Sequence, residues 1–592
     1  MSPTRPHILI LVLLSCLLPL FSPAHAAIAT PPPQPPPQET NATLNTNDLF
    51  TNNNGIQDAY SEGTLRGSLI LYNGRIHTMD DHNTIASVVA IADGKIIYVG
   101  NRSSDADSRF SSSTTGTKPR RINLHGRMAI PGLIDSHNHI VLLGNRPGYH
   151  TPLENAYSIA DALSTLTSRA TTVPAGGFIT TIGGFHPNQF TERRLPTLSE
   201  LDAALPHHPV FISYGFTGPG VTNTLGKSFF STITPTPLIF PNGSIPSGTP
   251  NGAALLALRN LSTPSSLRRS VQDAMTYAAS LGVTTHLDQG AFPATHTPSD
   301  GAANADLYTM HAPWLSVYAS RLGIIRLRIN FLTLDTDSSI PTLTQRLLDS
   351  FPFFGNAMVR TGAIGEFVTA DYAGGPVFSS AVAKVASAGW RLEVHSITET
   401  DYISQIETFE AVNKPTPITA LRWVVAHVQF ITQEYLRRLK ALGGGVNLSS
   451  WAYLAGSGSS NTSSPAGPPF RRVLESGIPA GFGADGANIA PLNPWVHIYY
   501  AITGKNAKGE VVNRGQTVGR QEALELYTRR NTWFLGGMDE GMLGVLEEGR
   551  LGDLVVLSED FFKVEVEGVR RVRSLVTVVG GVVVFEDKEG GL

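Results

Sequence analysis

Short apolar runs alternate with helical patterns through the middle of the chain. The runs are Val283 to Leu287, Arg326 to Leu332, Ala363 to Val368, Arg391 to Ser396, Trp423 to Gln429 and Ala480 to Ala484. Parallel strands need long crossovers, and a helix supplies one, so this alternation predicts βα units around a parallel sheet. One following helix is plain: Leu436, Leu439 and Leu442 share a face, and Gly443 is placed to end it. Residues 145 to 275 are too long for a single connection and read as an insertion. Residues 455 to 468, rich in Gly, Ser and Pro, read as a mobile loop.

Both ends of the ordered chain look different. Ser68 to Asp80, broken by Asn73-Gly74, and Ser87 to Gly100, broken by Asp93-Gly94, carry hairpin signals. Asp553 to Leu557 and Val572 to Phe585, with Gly580-Gly581 between Val-rich halves, read as strands. These ends (65–128 and 541–592) are expected to assemble one small β-domain around a central unit spanning 129–540.

Residues 1–26 read as an export signal. Arg5 supplies the positive start, Ile8 to Phe21 the apolar run, and Ala24-His25-Ala26 the small residues for cleavage after Ala26. Residues 27–64, rich in Pro, Asn and Thr, read as a disordered or loosely packed leader. The mature protein is therefore expected outside the cell, free of the membrane. The single cysteine, Cys16, lies in the signal, which leaves no disulfide chemistry. Sequons begin at Asn41, Asn101, Asn242, Asn260, Asn447 and Asn461, candidates for glycosylation on a eukaryotic export route. A formal charge of −3 gives no broad basic surface for nucleic acid. A small molecule is the expected partner, and a homodimer stays open.

Six ionisable residues stand at or near the ends of apolar strands. His137 and His139 close the run Ala129 to His139, and residues i and i+2 of a strand share a face. Two such imidazoles can grip one metal ion. Glu366 follows Gly362 to Gly365, His395 ends Trp390 to Val394, His427 sits within Trp423 to Val428, and Asp485 follows Ala480 to Ala484. Burying each costs several kcal/mol unless it is paired or bound to a metal. In a βα barrel the C-terminal strand ends converge on the catalytic face.

The chain resembles the amidohydrolase superfamily, specifically its amidohydrolase 3 branch, from about Gly67 to Phe585. The motifs are Leu69 to Asp80, Pro131 to His139, Gly282 to Gly290 and Glu548 to Leu557. The resemblance implies an α/β fold: a (β/α)8 TIM barrel with a small β-sandwich domain built from both termini. It implies that His137 and His139 are ligands on the first strand, that His395 and His427 are ligands on later strands, and that Asp485 binds metal and shuttles a proton. The implied cofactor is a divalent metal, zinc first, as one or two ions. The implied reaction is hydrolysis of a non-peptide carbon–nitrogen bond, an amide first. Deamination by the same chemistry and a non-catalytic binding barrel are the alternatives.

The sequence departs from that pattern in three places. No lysine lies near Gly362 to Val368, where many relatives place one that bridges two metals, and Glu366 is the only anionic residue in that stretch. It reads as a bridging carboxylate or as a structural one beside a single ion. Tyr214 to Thr217 stand where relatives often have Gly-His, and Ala426 where they often have Glu. His286 reads as a pocket residue, and His186, His207, His208, His311 and His497 as surface or packing residues. Trp451 and Tyr453, after a strand end, read as pocket lining or as core.

Overall fold

The computed structural model describes residues 53–587 apart from 112–117, 216–217, 234–238, 291–306, 456–464 and 487–488. The export signal, Asn41, Asn461 and most of the expected 455–468 loop lie outside the described residues.

Eight parallel strands form the centre: β1 (Leu133–Asn138), β2 (Val283–Asp288), β3 (Arg326–Phe331), β4 (Val359–Ile364), β5 (Glu393–Ser396), β6 (Val424–His427), β7 (Gly445–Leu448) and β8 (Ala480–Phe482). They run in chain order in two four-stranded sheets, β1 to β4 and β5 to β8. The sheets meet where Ile364 bridges Leu392 in parallel. On the other side the Asp485 N–H donates to the His137 carbonyl at 2.7 Å. Helices follow the strands, among them Pro341–Asp349, Gly375–Ser387, Glu399–Asn413, Gln433–Ala441 and Pro494–Thr503. The architecture is α/β and TIM-barrel-like.

The helix Gln433–Ala441 buries Leu436 and Leu439 and ends before Gly443, whose φ of 70° is left-handed. This matches its apolar spacing and its terminator. The fourth strand differs from expectation. It spans Val359–Ile364, so Glu366 lies beyond the strand end and not in its middle.

Between β1 and β2 the chain builds a separate five-stranded sheet from Tyr149–His150, Ile179–Ile182, Val210–Ser213, Gly220–Thr222 and Ser244–Ile245. Two apolar clusters of its own hold this insertion.

Strands from both ends of the chain share one sheet. Its order is Val582–Glu586, Ser574–Val579, Leu554–Leu557, Met128–Pro131, Arg75–His77 and Ile85–Ala86. A four-stranded sheet comprises Lys95–Gly100, Val88–Ala92, Leu69–Tyr72 and Arg120–Asn123. Leu69, Val89 and Ile91 from the second sheet meet Ala129, Leu554, Val556 and Val576 from the first in one buried cluster. Asp93-Gly94 and Gly580-Gly581 do turn hairpins. Asn73-Gly74 does not: Leu69–Tyr72 and Arg75–His77 enter different sheets. Order also begins before Ser68. Asn53–Asp58 is helical, and buried Tyr60 donates its hydroxyl to the Gly323 carbonyl at 2.5 Å. No helix among the described residues is long and apolar enough to cross a membrane.

Candidate metal centre

The six strand-end residues converge. His137, His139, Glu366 and Asp485 form one group of donor atoms, and Glu366, His395 and His427 form a second. Glu366 belongs to both. All six residues are buried.

His137 lies on β1, and His139 sits just past its end, at the cap position immediately before a short helical turn, Ile140–Gly144. Backbone geometry explains the approach of Asp485. A Cβ at Gly483 would stand 2.5 Å from the backbone and Cβ of His137, so only glycine lets β8 run this close to β1. The small residues before Asp485 therefore make room for His137.

The donors are spaced as an ion would require. The Nε2 of His139 is 3.0 Å from Glu366 Oε1 and 3.2 Å from Asp485 Oδ1. The Nε2 of His137 is 3.6 Å from Glu366 Oε2 and 3.8 Å from Asp485 Oδ1. A tetrahedral ion with bonds of about 2.1 Å holds its donors about 3.4 Å apart. His137 Nε2 is buried and has no hydrogen-bond partner among the described residues. In the second group, His395 Nδ1 and His427 Nε2 stand 2.7 and 3.0 Å from Glu366 Oε2.

Groups behind the donors fix their orientation. His137 Nδ1 donates to Glu393 Oε1 at 2.6 Å, and His139 Nδ1 donates to the Gly290 carbonyl at 3.2 Å. Both bonds leave Nε2 facing the cluster, the arrangement by which outer partners orient metal-ligating imidazoles. Asn447 donates to Glu393 and to the Ser136 carbonyl, and Ser136 Oγ donates back to Asn447. Asn447 is 1% exposed, so its sequon cannot accept a bulky glycan in the folded chain. Asn101, Asn242 and Asn260 are exposed.

Burial opposes every charge here, yet the carboxylates stay anionic. The His395 charge and the neighbouring imidazoles overcome burial and hold Glu366 well below the usual carboxylate range. Asp485 is likewise brought down to about 2 against burial, by its bond from His139 and the charge of His427. Burial pushes His427 down to about 4 against the pull of Asp485. Burial also disfavours charge on His137, but Glu393 and Glu366 raise it to about 10. Two anionic carboxylates amid four imidazoles suit a divalent cation.

Sequence reasoning missed Glu393, Asn447 and the part played by Trp451. Glu393 carried a signal: it lies two residues before His395 on the same strand face. Trp451 is half-buried, donates its Nε1 proton to Asp485 Oδ2 at 2.5 Å and lies 4.2 Å from the His427 ring. Tyr453 is buried core. His286 is wholly buried, with Nδ1 2.9 Å from the Asn138 amide. Among the residues read as surface or packing, His311 and His497 are buried and His207 is exposed.

The family signature of amidohydrolases matches residues 120–585. The chain belongs to the amidohydrolase family. This amidohydrolase is similar to the protein LONG AFTER FAR-RED 3 of Arabidopsis thaliana, at 29% identity over 38% of this chain and 39% of the relative. It is also similar to an N-substituted formamide deformylase of Arthrobacter pascens, at 26% identity over 33% of this chain and 35% of the relative. The chain thus matches little more than a third of the length of each. An uncharacterized metal-dependent hydrolase from Pyrococcus horikoshii shares its fold, with a TM-score of 0.55 at 17% identity over 85% of this chain and 99% of that one.

Proposed function

We propose that this amidohydrolase adds water across a non-peptide carbon–nitrogen bond, an amide first. One observation carries the reading: two buried donor groups share Glu366, and within them His137 Nε2 has no hydrogen-bond partner among the described residues. His137, His139, Glu366 and Asp485 would hold one divalent ion, and Glu366, His395 and His427 a second. Zinc suits these nitrogen and oxygen donors. When bound, such an ion supplies Lewis acidity and a water that is a nucleophile near neutral pH.

The chain's own groups do the remaining work. Trp451 Nε1 fixes Asp485 Oδ2, which leaves Oδ1 towards His137 and His139. From there Asp485 accepts a proton from the attacking water and returns it to the departing nitrogen. Glu393 and Gly290 keep the two imidazoles aimed. An amide-cleaving relative, the formamide deformylase, supports the choice of bond.

We further infer that the eight strands close into one barrel, that the two terminal sheets make one sandwich, and that the protein is exported with cleavage after Ala26. The central test is a panel of simple amides offered to zinc-loaded protein, read for carboxylate and for ammonia. Carboxylate with amine is the expected outcome. Ammonia from an amino-substituted ring with no amide cleavage would replace amide hydrolysis by deamination. Metal content gives the second test: His137→Ala with His139→Ala should lose most of the zinc, and full retention would overturn the ligand assignment.

A further inference from the structure

The donor cluster is sealed on most sides. Side-chain exposure is 1% for His137 and His427, 3% for Glu366, 4% for Asp485 and 7% for His139, but 11% for His395. Solvent therefore meets the cluster most freely at His395. Three aromatic rings stand around that ligand. Phe367 lies nearly parallel to its imidazole, 4.9 Å away at 25°. Tyr372 meets it edge-on at 4.9 Å, and Trp451 lies 5.8 Å away at 34°. Phe367 and Tyr372 also touch each other edge-to-face at 5.3 Å.

All three rings are half-buried. Phe367 and Tyr372 follow β4, and Trp451 follows β7, so they belong to the strand-end side on which the donors converge. Partly exposed rings beside a set of convergent polar groups are the usual lining of a small-molecule site.

Resting on the hydrolase reading above, we propose that Phe367, Tyr372 and Trp451 form a subsite for a planar aromatic group carried close to the scissile bond. Offset or edge-on contact with these rings selects a flat π-system over an alkyl chain of similar size.

Binding and turnover separate this proposal from the reading beneath it. N-benzylacetamide and N-butylacetamide are titrated calorimetrically into zinc-loaded full-length protein, and product is assayed in parallel. The benzyl amide should bind at least about tenfold more tightly than the butyl amide. That preference should shrink to within about threefold in Phe367→Leu and in Tyr372→Leu. Each variant is used once its thermal transition matches the parent, and two variants guard against one misfolding. Equal binding of the benzyl and butyl amides overturns the subsite. So do no measurable binding of either probe, or a preference that survives in either variant. Turnover with equal binding would sink the subsite and leave the hydrolase reading standing. A benzyl preference without product from any amide would do the reverse.

Discussion

Asp485 and Glu366 divide the work of charge in this site. Asp485 reaches His139 through Oδ1 and is held by Trp451 through Oδ2, so its geometry does not depend on its proton. Asparagine keeps that shape, with one oxygen left for either Trp451 or the ion, but it cannot take a proton from water. Asp485→Asn is expected to fold and to keep much of its metal while turnover falls by about 10²–10⁴. Turnover near the parent rate would require another base. Glu366 is the residue common to both donor groups, with Oε1 towards His139 and Oε2 towards His395 and His427. A neutral amide is a poor bridge, so Glu366→Gln should lower bound zinc from about two ions per chain to about one, read by elemental analysis. An unchanged count would leave Glu366 a structural carboxylate. The donors were legible as polar residues at apolar strand ends. Glu393 was legible only as a polar residue sharing a strand face with His395; its pairing with His137, 256 residues away, is reported by no local pattern.

At the scale of elements, legibility follows how local the cause is. Short apolar runs marked most central strands, and the leucine face with Gly443 marked the helix Gln433–Ala441. The strand Gly445–Leu448 was missed because it follows directly on the helix terminator Gly443 and its apolar run is broken by Asn447, read only as a sequon. In the fold, Asn447 is buried by its bonds to Ser136 and Glu393. Asn73-Gly74 misled in the opposite way: turn chemistry was right, but sheet partners are chosen by distant strands. The insertion shows another long-range device. Glu154 accepts the N–H groups of Leu492 and Asn493 at 2.6 and 2.9 Å, and the Tyr277 hydroxyl at 2.8 Å. It thereby ties the insertion to the segment entering the helix Pro494–Thr503, downstream of Asp485. Burial pushes the Glu154 carboxyl up to about 7. The unfolded carboxyl titrates near about 4.3. Between those values the folded chain holds a proton that the unfolded chain has lost, so stability falls as pH rises through this window. The loss is of the order of 3 kcal/mol at about 1.4 kcal/mol per unit. Denaturant unfolding of the parent and of Glu154→Gln at about pH 4.5, 6 and 7.5 checks this. The parent's stability relative to the variant should decline across the series, and a flat difference would mean that Glu154 ionises normally in the fold.

The whole molecule is held by an exchange between its ends and its centre. Leu554–Leu557, from the far end of the chain, inserts between Ser574–Val579 and Met128–Pro131, the strand that leads directly into β1 and His137. Its side chains divide the two cores: Leu554 and Val556 pack in the terminal sheets, while Val555 and Leu557 pack against the central unit. One residue before this strand, Asp553 makes the polar counterpart of that division. Its two carboxylate oxygens accept Nε and Nη2 of Arg326 on β3 at 2.7 and 2.8 Å, and Oδ1 also accepts the Gly580 N–H at 2.8 Å. Arg326 is completely buried. A buried pair of this kind contributes little net stability when intact. Removing one partner strands the other charge in a dry interior, at about 3–5 kcal/mol. Asp553→Ala should therefore lower the thermal transition steeply although it touches no metal donor. Asp553→Ala combined with Arg326→Met, which removes the stranded charge, should recover much of the loss. A calorimetric comparison of the three proteins decides the matter. If the single variant melts with the parent, the junction between the chain's two ends and its centre does not rest on this ion pair, and apolar packing alone holds the terminal sheets to the unit that carries the site.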